Sequence, residues 1–99
     1  MAEAKTYTAA VLLWRMGADA KQVAAFLKEK GIKGRMDNPC DDPVCRYLKK
    51  ELGTEDVEIE FGSVFINSNG CWTPDITLPD AVEEFITRFD QNEFPHLVE

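Results

Sequence analysis

Ninety-nine residues, 44% hydrophobic and 29% charged with ten aromatics, suffice for one core without staples and exclude a disordered chain. A formal charge of −7 argues against a generally basic nucleic-acid binder, and three cysteines cannot form a fully paired disulfide scaffold. No run approaches the ~18 apolar residues of a membrane span.

The charge is uneven along the chain. Residues 1–53 hold ten basic and seven acidic side chains (+3), whereas residues 54–99 hold eleven acidic side chains and one basic, Arg88 (−10). Such a division can steer a partner without specifying a fold. A secretory reading of Lys5 and Ala9–Trp14 fails because Arg15 interrupts an already short apolar run. With the odd cysteine count, the expectation is a cytoplasmic protein in a reducing compartment. One domain, residues 1–99, is expected.

In chain order, Tyr7, Ala10, Val11 and Trp14 recur at i, i+3, i+4, i+7, the spacing of one helix face. Gly17 interrupts, and Asp19-Ala20-Lys21-Gln22 has capping-box spacing, so two helices or one bent helix are expected. The second segment repeats the apolar stripe with Ala20, Val23, Ala24 and Leu27, and Gly31 is placed to end it. From Ile32 to Asp42 the residues oppose regular structure. Asp42 then suits an N-cap and Pro43 the first helical position, opening a helix over 43–52 that buries Val44, Tyr47, Leu48 and Leu52. Its outer face is read as basic, with Arg46, Lys49 and Lys50.

Val57-Glu58-Ile59-Glu60-Phe61 alternates as a half-buried strand does. Gly62-Ser63 reads as a two-residue turn or as a bulge in one longer strand, and Asn69-Gly70 as the stronger turn signal. Cys71 to Leu78 returns as a strand that Pro74 confines to an edge or breaks. Pro79 opens a last helix with the stripe Val82, Phe85, Ile86, Phe89, a Glu84–Arg88 pair, and Asp80, Glu83 and Glu84 near its positive end. The apolar tail Phe94-Pro95-His96-Leu97 is expected to pack back. N-terminal helices, a small antiparallel β-meander and a C-terminal helix make an α+β fold.

Three constellations bear on function. Cys40, Cys45, Cys71 and His96 offer the donors of a Cys₃His zinc site, but the Cys40-x₄-Cys45 spacing and two solitary ligands argue against one. A Cys40–Cys45 disulfide is disfavoured by a reducing compartment. Cys45 in a first helical turn beside Arg46 has the setting of an activated thiol, yet the only histidine lies in the tail. No cofactor, metal or catalytic set is expected, and the chain is read as not an enzyme. The basic face of Arg46, Lys49 and Lys50, with Lys28, Lys30, Lys33 and Arg35 nearby, suggests a recognition helix. The eleven-residue connection before it is too long for a helix-turn-helix, so nucleic acid is the secondary reading. Finally, Glu58 and Glu60 share the outward face of the first strand. Were the last helix to pack beside that strand, Asp80, Glu83 and Glu84 would extend it into one acidic surface, suited to a protein with a basic surface.

Phe26-Leu27-x₃-Gly31-Ile32-x-Gly34, followed by Cys40-x₂-Pro43-Val44-x₂-Tyr47-Leu48, resembles small proteins of actinobacteria and the phages that infect them. The ending Leu78-Pro79-x-Ala81-Val82-x₂-Phe85-Ile86-x₂-Phe89-Asp90-x₃-Phe94-Pro95-x-Leu97 is similar to the same group. The resemblance carries no assigned activity and implies an accessory role in a bacterium or phage. The leading expectation is therefore a non-enzymatic protein–protein interaction module, a regulator or inhibitor docking through Glu58, Glu60, Asp80, Glu83 and Glu84. The alternative is a nucleic-acid-binding regulator using helix 43–52.

Overall fold

A computed structural model describes the backbone of residues 2–38, 41–60, 62–68, 70–72 and 76–99, and the side chains of 8–38, 41–59, 62–67, 70, 72 and 76–99. The order is α1 (Ala2–Trp14), α2 (Ala20–Glu29), α3 (Pro43–Leu52), β1 (Val57–Glu60), β2 (Ser63–Ser68), β3 (Cys71–Trp72), β4 (Ile76–Thr77) and α4 (Asp80–Asp90), then one 3₁₀ turn at Pro95–Leu97. The fold is α+β, with the expected helices, meander and closing helix.

Local chemistry sets most of the boundaries. Between α1 and α2, Gly17 takes φ +155°, and a Cβ there would lie 2.6 Å from the Gln22 Cβ, so the break needs glycine. Asp19 Oδ1 accepts from the Gln22 N–H at 2.8 Å, and Gln22 Oε1 accepts from the Ala18 N–H at 2.9 Å, a capping box with its return bond moved one residue outward. At the far end of α2, Gly31 N–H reaches Lys28 O and Ile32 N–H reaches Leu27 O, the paired bonds of a Schellman ending. The end of α4 repeats that motif with Asn92 in the left-handed position. Asp42 caps α3 through Oδ1 to the Cys45 N–H at 2.8 Å, with Pro43 in the first turn.

The α1 stripe is a correction. The buried positions are Ala9 and Leu13, with Met16 just past the helix end, while Val11 and Trp14 are exposed and Ala10 is half-buried; the Tyr7 side chain lies outside the described residues. Ala9 to Trp14 is apolar on every side, so spacing alone cannot say which face turns inward.

In the sheet, β2 runs between β1 on one edge and β3 with β4 on the other, all antiparallel. Val57 pairs with Ile66 and Glu60 with Ser63, so the hairpin loop is residues 61–62. Ser63 belongs to the strand, and Gly62, at φ +74°, is the second residue of the loop rather than the first, which also removes the single-long-strand alternative. The second hairpin turns at residues 69–70 as expected, with Gly70 at φ +84°. Ser68 faces Cys71 and Asn67 faces Trp72, whereas Val64 faces Ile76, so the return strand carries one residue more than β2 does. Asn69, Pro74 and Phe61 themselves lie outside the described residues.

Helices and sheet share one core. Phe85 and Phe89 of α4, Leu13 of α1 and Met16 just after it, Leu27 of α2, Val44 and Leu48 of α3 and Val57, Val64 and Ile66 of the sheet are fully enclosed. Phe85 stacks on Phe89 at 5.9 Å and on Phe94 at 5.2 Å, which draws the tail back onto the body. The tail then makes a connection without a local sequence signal. Gly34 N–H donates to Leu97 O and Glu99 N–H donates to Gly34 O, both at 2.9 Å, a parallel bridge between the α2–α3 loop and the chain's last residues. A Cβ on Gly34 would lie 2.4 Å from the Pro43 nitrogen, so only glycine lets the loop that carries this bridge pack against the start of α3. Among the described residues no helix is long and apolar enough to cross a membrane.

Candidate functional site

Five carboxylates were singled out as a docking surface. Asp80, Glu83 and Glu84 occupy the first turn and a half of α4, all exposed, where the unpaired N–H groups of the helix favour negative charge. With Thr87 they line a shallow cleft of about 310 Å³. Glu84 is paired with Arg88 at 2.7 Å one turn on. Among the described residues neither Asp80 nor Glu83 has a basic group within ion-pair distance.

The supposition that α4 packs along β1 is corrected: α4 lies chiefly against α2. It still meets the β1–β2 hairpin at its tip. The two Glu83 carboxylate oxygens lie 3.4 and 3.5 Å from where a Gly62 Cβ would be. The loop that follows Glu60 is therefore against the α4 carboxylates. Glu58 is exposed on the outward face of β1, opposite the buried Val57 and Ile59. Glu60 lies in β1, with its side chain outside the described residues.

The basic helix face looks different from its sequence reading. Arg46 is held rather than displayed. Its Nε donates to Asp41 Oδ1 at 2.7 Å and its Nη2 to Asp41 Oδ2 at 2.9 Å, while Nη1 reaches the Glu99 carboxylate and the Lys33 carbonyl. Arg35 Nε stands 3.5 Å from Asp41 and 3.6 Å from Glu99, completing a four-membered network. The pairing pushes the Arg46 guanidinium pKa further up and holds the carboxyls of Asp41 and Glu99 below their ordinary values. Lys49 is half-buried and Lys50 exposed, and with Arg46 they share a cleft whose other walls are Asp41 and Glu55.

Cys45 takes the role of a small buried hydrophobe. It is fully enclosed, and its thiol donates to Val57 O at 3.1 Å, tying α3 to β1. His96 is exposed in the 3₁₀ turn, edge-on to Phe94 at 6.3 Å. Among the described residues no group of three His, Cys, Asp or Glu side chains is placed to hold a metal ion. Cys40 and the Cys71 side chain lie outside those residues.

Two features go beyond the sequence reading, which has Asp42 only as the α3 cap. The first is Asp42, only 2% exposed, whose pKa is pushed up to about 7 by burial, against the lowering effect of the Cys45 N–H, with Asp90 adding repulsion. Asp37 and Asp90 border the same small cavity, and Asp90 Oδ1 accepts from the Asp37 N–H at 2.9 Å. The second is an open groove of about 510 Å³ where the end of α1 faces the β4–α4 junction. Trp14, 71% exposed, stands on its rim, and Leu78, Pro79 and Ala81 lie in its wall beside Asp80.

No family model, curated protein or solved structure matches this chain.

Proposed function

We propose that this chain is a non-enzymatic protein–protein interaction module, a bacterial or phage regulator or inhibitor acting in the cytoplasm. It docks on a partner with a basic surface through Glu58, Glu60, Asp80, Glu83 and Glu84. The observation that supports this reading is the approach of the Glu83 carboxylate to Gly62, in the loop that follows the strand bearing Glu58 and Glu60. Among the described residues Asp80 and Glu83 have no cation paired with them, so complementary charge on a partner gains attraction without first breaking such a pair.

The alternative, nucleic-acid binding by Arg46, Lys49 and Lys50, is weakened by the engagement of Arg46 with Asp41 and Glu99. The Asp41 and Glu55 carboxylates in the same cleft would repel a phosphate.

Affinity capture with mass spectrometry tests the proposal. The unaltered chain should retain basic proteins that elute with salt, and a Glu58→Lys, Asp80→Lys, Glu83→Lys variant with an unchanged circular dichroism spectrum should lose them. Equal capture by both proteins would overturn the reading. A salt-dependent gel shift abolished by Lys49→Ala and Lys50→Ala would favour the alternative.

A further inference from the structure

Trp14 presents most of its indole to water although the core begins one residue away at Leu13. Scattered apolar residues on a surface need no explanation, but a tryptophan on the rim of a formed apolar groove is the arrangement in which binding energy concentrates. The groove's about 510 Å³ falls within the ~300–1,000 Å³ of small binding sites, enough for one or two bulky side chains. Its floor is fixed by the fold. Gly17 and Ala18 form the capped break between α1 and α2, and Thr77 to Ala81 form the junction from the sheet into α4. Leu78 and Pro79 are themselves buried, so the wall is built before any ligand arrives.

The charge around the groove selects the occupant. Asp80 belongs both to the groove and to the acidic cleft that continues along α4 with Glu83 and Glu84. Arg15, next to Trp14 in sequence, is exposed and is not among the residues that line the groove. On the Asp80 side, a ligand seated against Trp14 therefore runs out over the carboxylates of α4.

We infer that the groove between Trp14 and the β4–α4 junction receives an apolar side chain of a partner-protein segment whose flanking residues are basic, the lysines or arginines resting on Asp80 and Glu83. This rests on the acidic-docking reading and adds to it the anchor that charge alone does not supply. Exposed carboxylates steer an encounter, whereas a desolvated anchor sets how long the complex lasts.

The test uses the full chain carrying Trp72→Phe, so that Trp14 is the sole indole, titrated with a hexapeptide of alternating lysine and leucine. Its lysine–serine and glutamate–leucine counterparts are the controls. The lysine–leucine peptide should shift Trp14 emission saturably to shorter wavelength and bind at least tenfold more tightly than either control. By calorimetry, Trp14→Ala should weaken it tenfold or more, and Asp80→Lys with Glu83→Lys should do the same. Trp14 is largely exposed, so its truncation leaves the core intact, and an unchanged thermal midpoint confirms that.

Equal binding of the lysine–leucine and lysine–serine peptides, insensitive to Trp14→Ala, overturns the groove inference while leaving the acidic-docking reading standing. Preference for the glutamate–leucine peptide overturns both. A blue shift that appears on concentrating the protein alone assigns the groove to a second copy and overturns the inference. Absence of any binding overturns it as well, and the charge-reversal capture then decides the broader reading separately.

Discussion

Arg46 and Asp41 form a two-bond fork, Nε to Oδ1 at 2.7 Å and Nη2 to Oδ2 at 2.9 Å, across the start of α3. Both side chains are about three-quarters buried, at 25% and 29% exposure, which sets this pair apart from a solvated surface contact. Arg46→Lys keeps the charge but cannot make the fork. Urea unfolding should show Arg46→Lys less stable by about 0.5–1 kcal/mol and Arg46→Ala by about 1–2 kcal/mol.

The same network sets behaviour in acid. Asp41 and Glu99 have native pKa values below the ordinary 3.8 and 4.5, so their contribution is complete above those values. It is lost as pH falls through the lowered native values, because the unfolded chain then binds protons first. Urea midpoints measured from pH 5 downward should fall, and Arg46→Ala should flatten that fall.

Asp42 acts in the opposite direction. Its native pKa of about 7 lies above the ordinary 3.8, so the folded chain retains a proton that the unfolded chain releases in between. The resulting stabilisation is complete below about pH 4 and disappears as pH rises through about 7. Stability should therefore decline between pH 5 and pH 8. Asp42→Asn, which can still cap α3, should remove that slope, while Asp42→Ala should lower stability across the range by about 1–2 kcal/mol.

Gly34→Ala tests the packing of the α2–α3 loop on the start of α3, and through it the bridge that the loop makes to the tail. The added Cβ meets backbone at 2.4–2.7 Å, on Pro43, Asp42 and Asp41, with no flexible side chain to yield. A loss of about 3 kcal/mol or more is expected in thermal unfolding, with hydrogen exchange at the Glu99 amide accelerated well beyond that at the β2 amides.

Cys45 should be silent to thiol reagents in the native state. Its enclosed Sγ is bonded to Val57 O, so alkylation followed by mass spectrometry should modify this residue only at the rate of unfolding. Rapid native labelling of Cys45 would contradict that packing.

What the sequence discloses is mostly local. Asp19 with Gln22, Asp42 with Pro43, and Gly31 each announce a helix end through chemistry confined to a few residues, and each is found there. The alternation around Glu58 puts that carboxylate outside for the same reason. Burial of α1 was illegible because Ala9 to Trp14 offers no polar face to exclude. The partners of Arg46 were illegible for another reason: Glu99 lies 53 residues away, and ion pairing leaves no periodic trace in a single sequence. The candidate site divides similarly. Its acidic members could be named from composition and spacing, whereas the approach of Glu83 to Gly62 and the groove beside Trp14 arise only when distant elements meet.

The bond exchange joining Gly34 to Leu97 and Glu99 also orders events in time. During synthesis, Gly34 emerges more than sixty residues ahead of its partners Leu97 and Glu99, so the strap cannot be fastened until they follow. Closing a contact across more than sixty residues costs loop entropy, so the strap depends more than any local turn on everything between its ends being in place.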